Sequence, residues 1–426
     1  MNLPKPGQAE SGNRRSFDLL ATVVELSGYF RIIFQYAWEI LVFCGVLLRF
    51  YGLSTRREIW LDESMLLKNV SGISPWLLYG PLESEQVVPP GYLMMLRAIH
   101  ALAGNDIVAL RLPSLLAATL AFVIFAFVVR SYCARPVAIM ATALLALNAD
   151  ALYFAQEMKP YAFDQLFSVM ILAAIAFHVK HSHFYFRPVF GGFLLVLMPW
   201  FSIAAVFPVA AFLLILIVQE MKSGKISKNI ICAGMAWLIS FLATWMIEKS
   251  QVVAQSNLWT FWHFAFIKPF APADTLCLLA DNLINPLHLI TPLPFAALMF
   301  VWLLATVLIL LAGIFQCKNQ NPHWIAFGLL TTFMTIIVSA LRFYPFHGRT
   351  IFFLVPIVLI VFSEGLLFMS RYAGRWRYLL FGMLLFTPLA GSIWTRPFDY
   401  HRLIRYDGDL DKDYFLLEFG AMKPQR

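Results

Sequence analysis

The chain has 426 residues, of which 60% are hydrophobic and only 13% are charged, and its formal net charge is +8. Because soluble domains carry about 25% charged residues, this composition excludes an ordinary soluble protein and indicates a polytopic membrane protein. The basic residues are scattered and no stretch concentrates them, so a nucleic-acid partner is excluded as well.

The five cysteines form no CxxC pair, and they predict neither a disulfide framework nor a metal site. Residues 1–31 are polar with scattered basic residues, and they lack the pattern of a cleavable signal. We therefore expect residues 1–31 to form a cytoplasmic N-terminal segment. The apolar segment that follows is expected to stay in the membrane as an anchor.

Apolar segments long enough to cross a bilayer recur along the whole chain. The predicted fold is all-α, with about eleven transmembrane helices of about 20 residues each, some of them shorter. The fifth and sixth segments are the least distinct, because Pro199-Trp200 divides one long apolar run. The segments are residues 32–53, 113–129, 136–154, 162–179, 189–199, 202–218, 230–247, 293–315, 324–341, 350–369 and 378–393.

Lys and Arg in the short loops predict the orientation, because cytoplasmic loops are enriched in these residues. The inner loops hold Arg130, Arg135, Lys180, Arg187, Lys222, Lys225, Lys228, Lys318, Arg371, Arg375 and Arg377, whereas the outer turns hold Lys159, Arg342 and Arg349. With the N-terminus inside, we predict a transmembrane domain at residues 32–395, a long first extracytoplasmic loop at residues 54–112, and a short extracytoplasmic tail at residues 396–426.

Three of the predicted outer segments concentrate acidic and basic side chains. The first loop carries the adjacent carboxylates Asp62 and Glu63, a run suited to a short interfacial helix, and the sequence QVVPPG at residues 86–91. The second segment is QEMKPY at residues 156–161, and the third is FYPFHGR at residues 343–349. We predict that these segments share one face of the membrane. A fourth outer loop is mainly aromatic, which is more typical of an interfacial belt than of a sugar platform.

The order of these motifs resembles the GT-C superfamily of integral-membrane glycosyltransferases, of the protein O-mannosyltransferase and lipid A aminoarabinose-transferase type, and its bacterial members in particular. The resemblance covers residues 49–199 and recurs at residues 344–356. It implies that residues 32–395 are a catalytic domain in a bacterial inner membrane. The implied reaction moves a sugar, with inversion, from a polyprenyl-phosphate donor to an acceptor hydroxyl on the extracytoplasmic face.

The resemblance implies a role for each charged residue of these motifs. An acceptor hydroxyl must lose its proton to a base, and the family's base falls at Asp62. Glu63 points about 100° away on a helix and is expected to support Asp62. The donor phosphate needs cations, and the candidates are Arg349, Lys159 and Arg111, in that order. Lys159 stands where relatives often have Arg.

Glu157, Tyr161 and His347 are expected to support this site from the same motifs. The implied partners are a polyprenyl-phosphate-linked sugar donor, a glycan, lipid or protein acceptor, and membrane lipids. No cofactor or bound metal is predicted, and a requirement for a divalent cation stays open. Asp62 and Glu63 could instead cap an interfacial helix, and Arg349 could reach lipid headgroups. A transporter or flippase of lipid-linked sugars and a non-catalytic subunit are the alternative functions.

Overall fold

The computed structural model describes residues 35–53, 59–180, 188–222, 224, 226–252, 258–284, 296–372 and 374. Three predicted segments therefore lie outside the described residues: the N-terminal segment 1–31, the last span 378–393 and the tail 396–426. Within the described part of the chain, 81% of residues are helical and no strand occurs, which confirms the all-α class.

The helices are numbered α1 to α15 in chain order. They are Gln35–Leu53 (α1), Leu61–Val70 (α2), Pro90–Ala103 (α3), Ile107–Tyr132 (α4), Arg135–Ala146 (α5), Ala149–Phe154 (α6), Tyr161–Lys180 (α7), Pro188–Phe201 (α8), Val206–Lys222 (α9), Lys228–Gln251 (α10), Leu258–Phe261 (α11), Pro272–Ile284 (α12), Ala296–Gln320 (α13), Pro322–Ala340 (α14) and Val355–Ser370 (α15). Short 3-10 helices at Glu83–Glu85, Trp262–Ala265 and Gly348–Leu354 lie between them.

Five helices in the described residues are long and apolar enough to cross a membrane, as expected of an α-helical membrane protein. They are α1, α4, α10, α14 and the continuous stretch Gly348–Ser370, which includes α15. The stretches Arg135–Ala146, Tyr161–Phe177, Gly192–Phe201 and Leu304–Gln320 are apolar but shorter.

Two breaks in the helices differ from the predicted spans. The segment 136–154 was predicted as one span, but Asn148 ends it after α5: its side chain accepts a hydrogen bond from the Ala151 amide at 2.8 Å and starts α6. Conversely, α8 continues through Pro199, and the break falls at Ser202. The Ser202 hydroxyl accepts from the Ala205 amide and donates to Asp164, which gives the chain an alternative to helical hydrogen bonds.

The central bundle is held by close helix packing. A methyl group at Gly365 of α15 would overlap the carbonyl oxygen of Ile309 on α13, and one at Gly313 of α13 would overlap that of Val361 on α15. Glycines at such a crossing let two backbones approach closely, which is the usual way apolar helices associate in lipid. Around this crossing lies a large apolar core that α4, α5, α7, α9, α13 and α15 share.

A second, smaller core attaches the first outer loop to the bundle. Leu66 and Val70 of α2 pack with Leu93 and Leu96 of α3 and with Met158. The last residue of α10, Gln251, adds three hydrogen bonds to this loop, one of them from the Leu82 amide to its backbone carbonyl at 3.0 Å. Its side chain accepts from the Val88 amide at 2.8 Å and donates to the Val88 carbonyl at 3.0 Å. The first outer loop is therefore held against α10 and against the turn before α7.

Candidate functional site

The three segments that concentrate acidic and basic residues meet at the carboxylate of Asp62. Asp62 lies in the first turn of α2, Lys159 in the turn before α7, and Arg349 in the 3-10 helix before α15. Lys159 Nζ is 2.8 Å from Asp62 Oδ1, and Arg349 Nη1 is 2.9 Å from Asp62 Oδ2. Residues 97 and 287 positions apart in sequence thus form one charged group.

Asp62 is ionised and largely withdrawn from solvent. Its side chain is 15% exposed, compared with 7% for Lys159 and 20% for Arg349. Burial raises the pKa of the Asp62 carboxyl, but Lys159 and Arg349, together with hydrogen bonds from Lys159 and Gln86, lower it more, to about 2. The group has one carboxylate and two cations, so it carries net positive charge.

Aromatic rings surround the guanidinium of Arg349. Its Cζ atom lies 5.3 Å from the ring centre of Trp262, 5.7 Å from that of Tyr161 and 5.9 Å from that of Trp60. Aromatic faces attract a cation within about 6 Å. The three rings come from three separate segments, and they hold the guanidinium beside Asp62.

Glu63 forms a separate buried ion pair with Arg111. Arg111 donates from Nε to Glu63 Oε1 at 2.8 Å and from Nη2 to Oε2 at 2.5 Å, and the two side chains are 4% and 1% exposed. The Met158 amide also donates to Glu63 Oε1 at 2.8 Å. This bidentate pair joins α2, α4 and the turn before α7, so the structure places Arg111 on Glu63 and not on Asp62.

The predicted supporting residues lie around the same group. Glu157 accepts a hydrogen bond from Trp60 Nε1 at 3.0 Å, directly before α2. Tyr161 begins α7, with its ring against Arg349. His347 caps the 3-10 helix through Thr350. The rings of His347 and Phe264 pack edge to face, with their centres 5.2 Å apart. These contacts give His347 a local structural role.

Glu157 and Lys159 are close enough in sequence to form a local ion pair that would close this tight turn, but the ammonium group of Lys159 has other partners. Lys159 Nζ donates to Asp62 and, at 2.5 Å, to Gln86 Oε1. Gln86 belongs to the QVVPPG motif, so this motif also reaches the site. The side-chain amide of Gln86 thereby joins the first loop to Lys159.

Sequence reasoning missed four residues that shape the site: Gln86, Trp60, Trp262 and Gln251. Gln86 stands in a quoted motif but has no charge, and Trp60 directly precedes Asp62. Trp262 lies in the aromatic outer loop, where a ring that faces a cation cannot be told from one that faces lipid. Gln251 is wholly buried at the end of α10, where its amide has the hydrogen-bond partners that burial requires, but in the sequence it is one polar residue beyond the predicted span 230–247.

Among the described residues, no group of three or more His, Cys, Asp or Glu could hold a metal ion. No protein-family model matches this chain, and no curated protein matches it. The function is therefore inferred from the geometry of the site and from the order of the motifs.

Proposed function

We propose that this protein is a membrane glycosyltransferase that moves a sugar from a polyprenyl-phosphate donor to an acceptor hydroxyl. It acts at the extracytoplasmic face of a bacterial inner membrane, within a GT-C-like fold of about eleven spans. The observation that supports this best is the contact of one carboxylate, Asp62, with two cations, Lys159 and Arg349, from distant parts of the chain.

The reaction needs a base and a site for the departing phosphate, and this charged group supplies both. Asp62 accepts the proton of the acceptor hydroxyl as its oxygen attacks the anomeric carbon from the side opposite the phosphate. The bond between that carbon and the phosphate oxygen breaks, and its electron pair leaves with polyprenyl phosphate. Lys159 and Arg349 neutralise the charge that develops on the phosphate, and the attack inverts the anomeric centre.

The remaining residues are assigned positioning roles. The Glu63–Arg111 pair holds α2 on α4. We therefore assign Arg111 to positioning α2, whereas the motif order had suggested that it binds the donor phosphate. Glu157 holds the Trp60 ring, and Trp60 and Tyr161 hold the guanidinium of Arg349. A basic pair beside apolar helices suits a lipid-linked anion, whose charged head lies at the membrane surface while its chain stays in lipid.

A transporter or flippase of lipid-linked sugars is the second candidate, and buried carboxyl groups favour it. Glu364 lies in the apolar helix α15, 2% exposed, and its Oε1 has no hydrogen-bond partner within the described residues. Asp164 lies one turn inside α7, bonded to Ser202 at 2.6 Å. Acidic residues inside spans often mark transport pathways. The two functions differ in that only a transferase breaks the sugar–phosphate bond.

The test is formation of polyprenyl phosphate from a panel of polyprenyl-phosphate sugars, by the full chain in lipid nanodiscs supplied with membrane extract as the source of acceptor. The wild-type protein should release polyprenyl phosphate from at least one donor. Asp62→Asn keeps the size of the side chain but removes the base, and should lower the rate by about 10²–10⁴-fold.

Asp274→Asn is the matched control, because Asp274 is an exposed carboxylate paired with Lys268, and in the described part of the chain this pair makes no hydrogen bond to Asp62, Lys159 or Arg349. It should keep the wild-type rate. Movement of intact donor across the bilayer with no release of polyprenyl phosphate would favour the flippase, and an unchanged rate for Asp62→Asn would remove Asp62 as the base.

A further inference from the structure

We propose that the donor phosphate and Asp62 compete for the same two cations, so that donor binding frees the carboxylate to act as a base. This inference rests on the proposed function and adds an order of events to it. Both oxygens of Asp62 are bound in the structure, Oδ1 to Lys159 and Oδ2 to Arg349. A carboxylate held in this way is a poor proton acceptor, because both cations stabilise its ionised form.

Lys159 has little room to serve two anions at once. Lys159 has three N–H donors, of which one points to Asp62 and another to Gln86. Its side chain is 7% exposed. The side chain of Arg349 is more open, 20% exposed, and three aromatic rings flank its guanidinium. A phosphate that reaches both cations at once has to lie beside the Asp62 oxygens that join them.

Competition follows from charge as well as from space. An anion beside Asp62 is a like charge, which raises the free energy of both until one of them moves. The phosphate can take over the cations because its several oxygens accept hydrogen bonds from both side chains at once. Asp62 can leave the cations by rotating its side chain, while the neighbouring Glu63–Arg111 pair holds α2 in place.

The same competition assists product release. After transfer, the proton of the acceptor resides on Asp62, and the electron pair of the broken bond resides on polyprenyl phosphate. Neutral Asp62 does not compete for the cations. Once it loses that proton to water, it regains its negative charge and displaces polyprenyl phosphate from Lys159 and Arg349. Donor binding and product release are thus opposite directions of one exchange.

The sign of one mutational effect distinguishes this exchange from a site in which Asp62 only helps to assemble the cations. If Asp62 competes, Asp62→Asn binds polyprenyl phosphate more tightly than the wild-type protein while it loses transfer. Double-mutant cycles give close interfacial charge pairs an effect of about tenfold or more, so we expect a gain of about tenfold or more in affinity. If Asp62 only positions the cations, the same variant binds more weakly.

The experiment measures the affinity of the full chain in phosphatidylcholine nanodiscs for polyprenyl phosphate. The variants are Asp62→Asn, Asp62→Ser, Arg349→Ala, Lys159→Ala and the control Asp274→Asn, which removes an equal charge away from the cations. Thermal unfolding identifies any variant that fails to fold, and Asp62→Ser provides a second neutral side chain. Phosphatidylglycerol and inorganic phosphate, tested separately, show whether a headgroup or a free phosphate has the same effect.

Tighter binding of polyprenyl phosphate by either neutral Asp62 variant, with Asp274→Asn unchanged and the two alanine variants weaker, supports the exchange. Equal or weaker binding by both neutral variants, while Arg349→Ala still weakens binding, overturns the exchange and leaves the proposed donor site intact. Absence of polyprenyl phosphate binding in the wild-type protein overturns the proposed function itself.

Discussion

Asp62 shows how a single carboxylate can be kept ionised while it is almost shielded from water. Its pKa of about 2 results from Lys159 and Arg349, which outweigh the effect of burial. Since the folded-state pKa lies below the ordinary value of about 4, this carboxylate stabilises the fold above pH 4. That contribution is lost as the pH falls through 2.

The pH dependence of transfer should therefore differ between the free and the donor-bound protein. In the free protein Asp62 stays ionised above about pH 3, so kcat/KM for the donor should show no acid limb from Asp62 in the accessible range. If the donor phosphate occupies Lys159 and Arg349, the pKa of Asp62 rises towards or above 4, and the acid limb of kcat moves to higher pH. Steady-state rates between pH 4 and 8 measure both profiles.

The other charged groups beside Asp62 do not reproduce this pattern. Glu157 is bonded to Trp60 and Glu63 to Arg111, and neither is released when a phosphate binds Lys159 and Arg349. Donors that carry the same phosphate, with neutral sugars of different size, should show the same shift. Identical acid limbs in kcat and kcat/KM would contradict the release of Asp62.

Glu63 should matter for stability, although it is not assigned to the chemistry. Glu63→Gln removes the carboxylate charge that accepts two hydrogen bonds from the buried Arg111 guanidinium, so we expect the free energy of unfolding to fall by about 3–5 kcal/mol. Thermal unfolding in detergent measures the loss, with Asp274→Asn as an exposed control that should change stability by less than about 0.5 kcal/mol. A Glu63→Gln protein as stable as wild type, with lost transfer, would place Glu63 among the catalytic groups.

Motif order predicted which charged residues belong together, but not which pairs they form. Asp62, Lys159 and Arg349 were proposed as one site and lie in contact, while their catalytic roles stay predictions. Arg111 was grouped with the cations, yet it pairs with Glu63. Adjacent carboxylates differ in partner only through the direction of their side chains, which depends on how α2 packs.

At the level of helices, hydropathy located most apolar segments but not the points where helices break. Asn148 caps the start of α6, and Ser202, directly after α8, accepts a hydrogen bond from the Ala205 amide. Pro199, the expected break, lies inside α8. Proline is tolerated in apolar helices when neighbouring groups satisfy the freed carbonyl. A hydropathy window averages over single residues, so it cannot detect a capping side chain inside an apolar run.

The crossing of α13 and α15 should be highly sensitive to added volume. Gly365→Ala brings its methyl group onto the carbonyl oxygen of Ile309, so the helices must separate, and we expect a loss of about 1–3 kcal/mol in stability. Thermal unfolding in nanodiscs measures the effect. Gly234→Ala on α10 is the matched control, because its nearest neighbour would be Leu213 at 3.9 Å. Equal stability of the two variants would contradict the close crossing.

At the scale of the whole molecule, the site joins segments that hydropathy and basic loop residues predict to lie on one face of the membrane. The first loop, the turn before α7, the 3-10 helix before α15 and the end of α10 are joined by the hydrogen bonds of Asp62 and Gln251. Composition and the length of the apolar segments predicted the all-α class and the apolar helices. The aromatic loop around Trp262 could not be assigned to the site, because its contact with Arg349 depends on tertiary packing.

Sidedness can be tested with single cysteines in a chain whose five native cysteines are replaced by serine. Trp76 is 77% exposed in the first loop, and Gly224 follows α9 on the predicted inner side. An impermeant thiol reagent should label Trp76→Cys in intact spheroplasts and Gly224→Cys only after permeabilisation. Labelling of both from the same side would contradict the predicted topology and with it the single outer face.

The most direct test is an electron cryo-microscopy structure of the full chain in nanodiscs with bound polyprenyl phosphate. We expect the phosphate within hydrogen-bond distance of both Arg349 and Lys159, the polyprenyl chain in the bilayer, and the Asp62 carboxylate detached from at least one of these cations. Phosphate density elsewhere in the molecule, with both ion pairs of Asp62 intact at 2.8 and 2.9 Å, would contradict the proposed donor site.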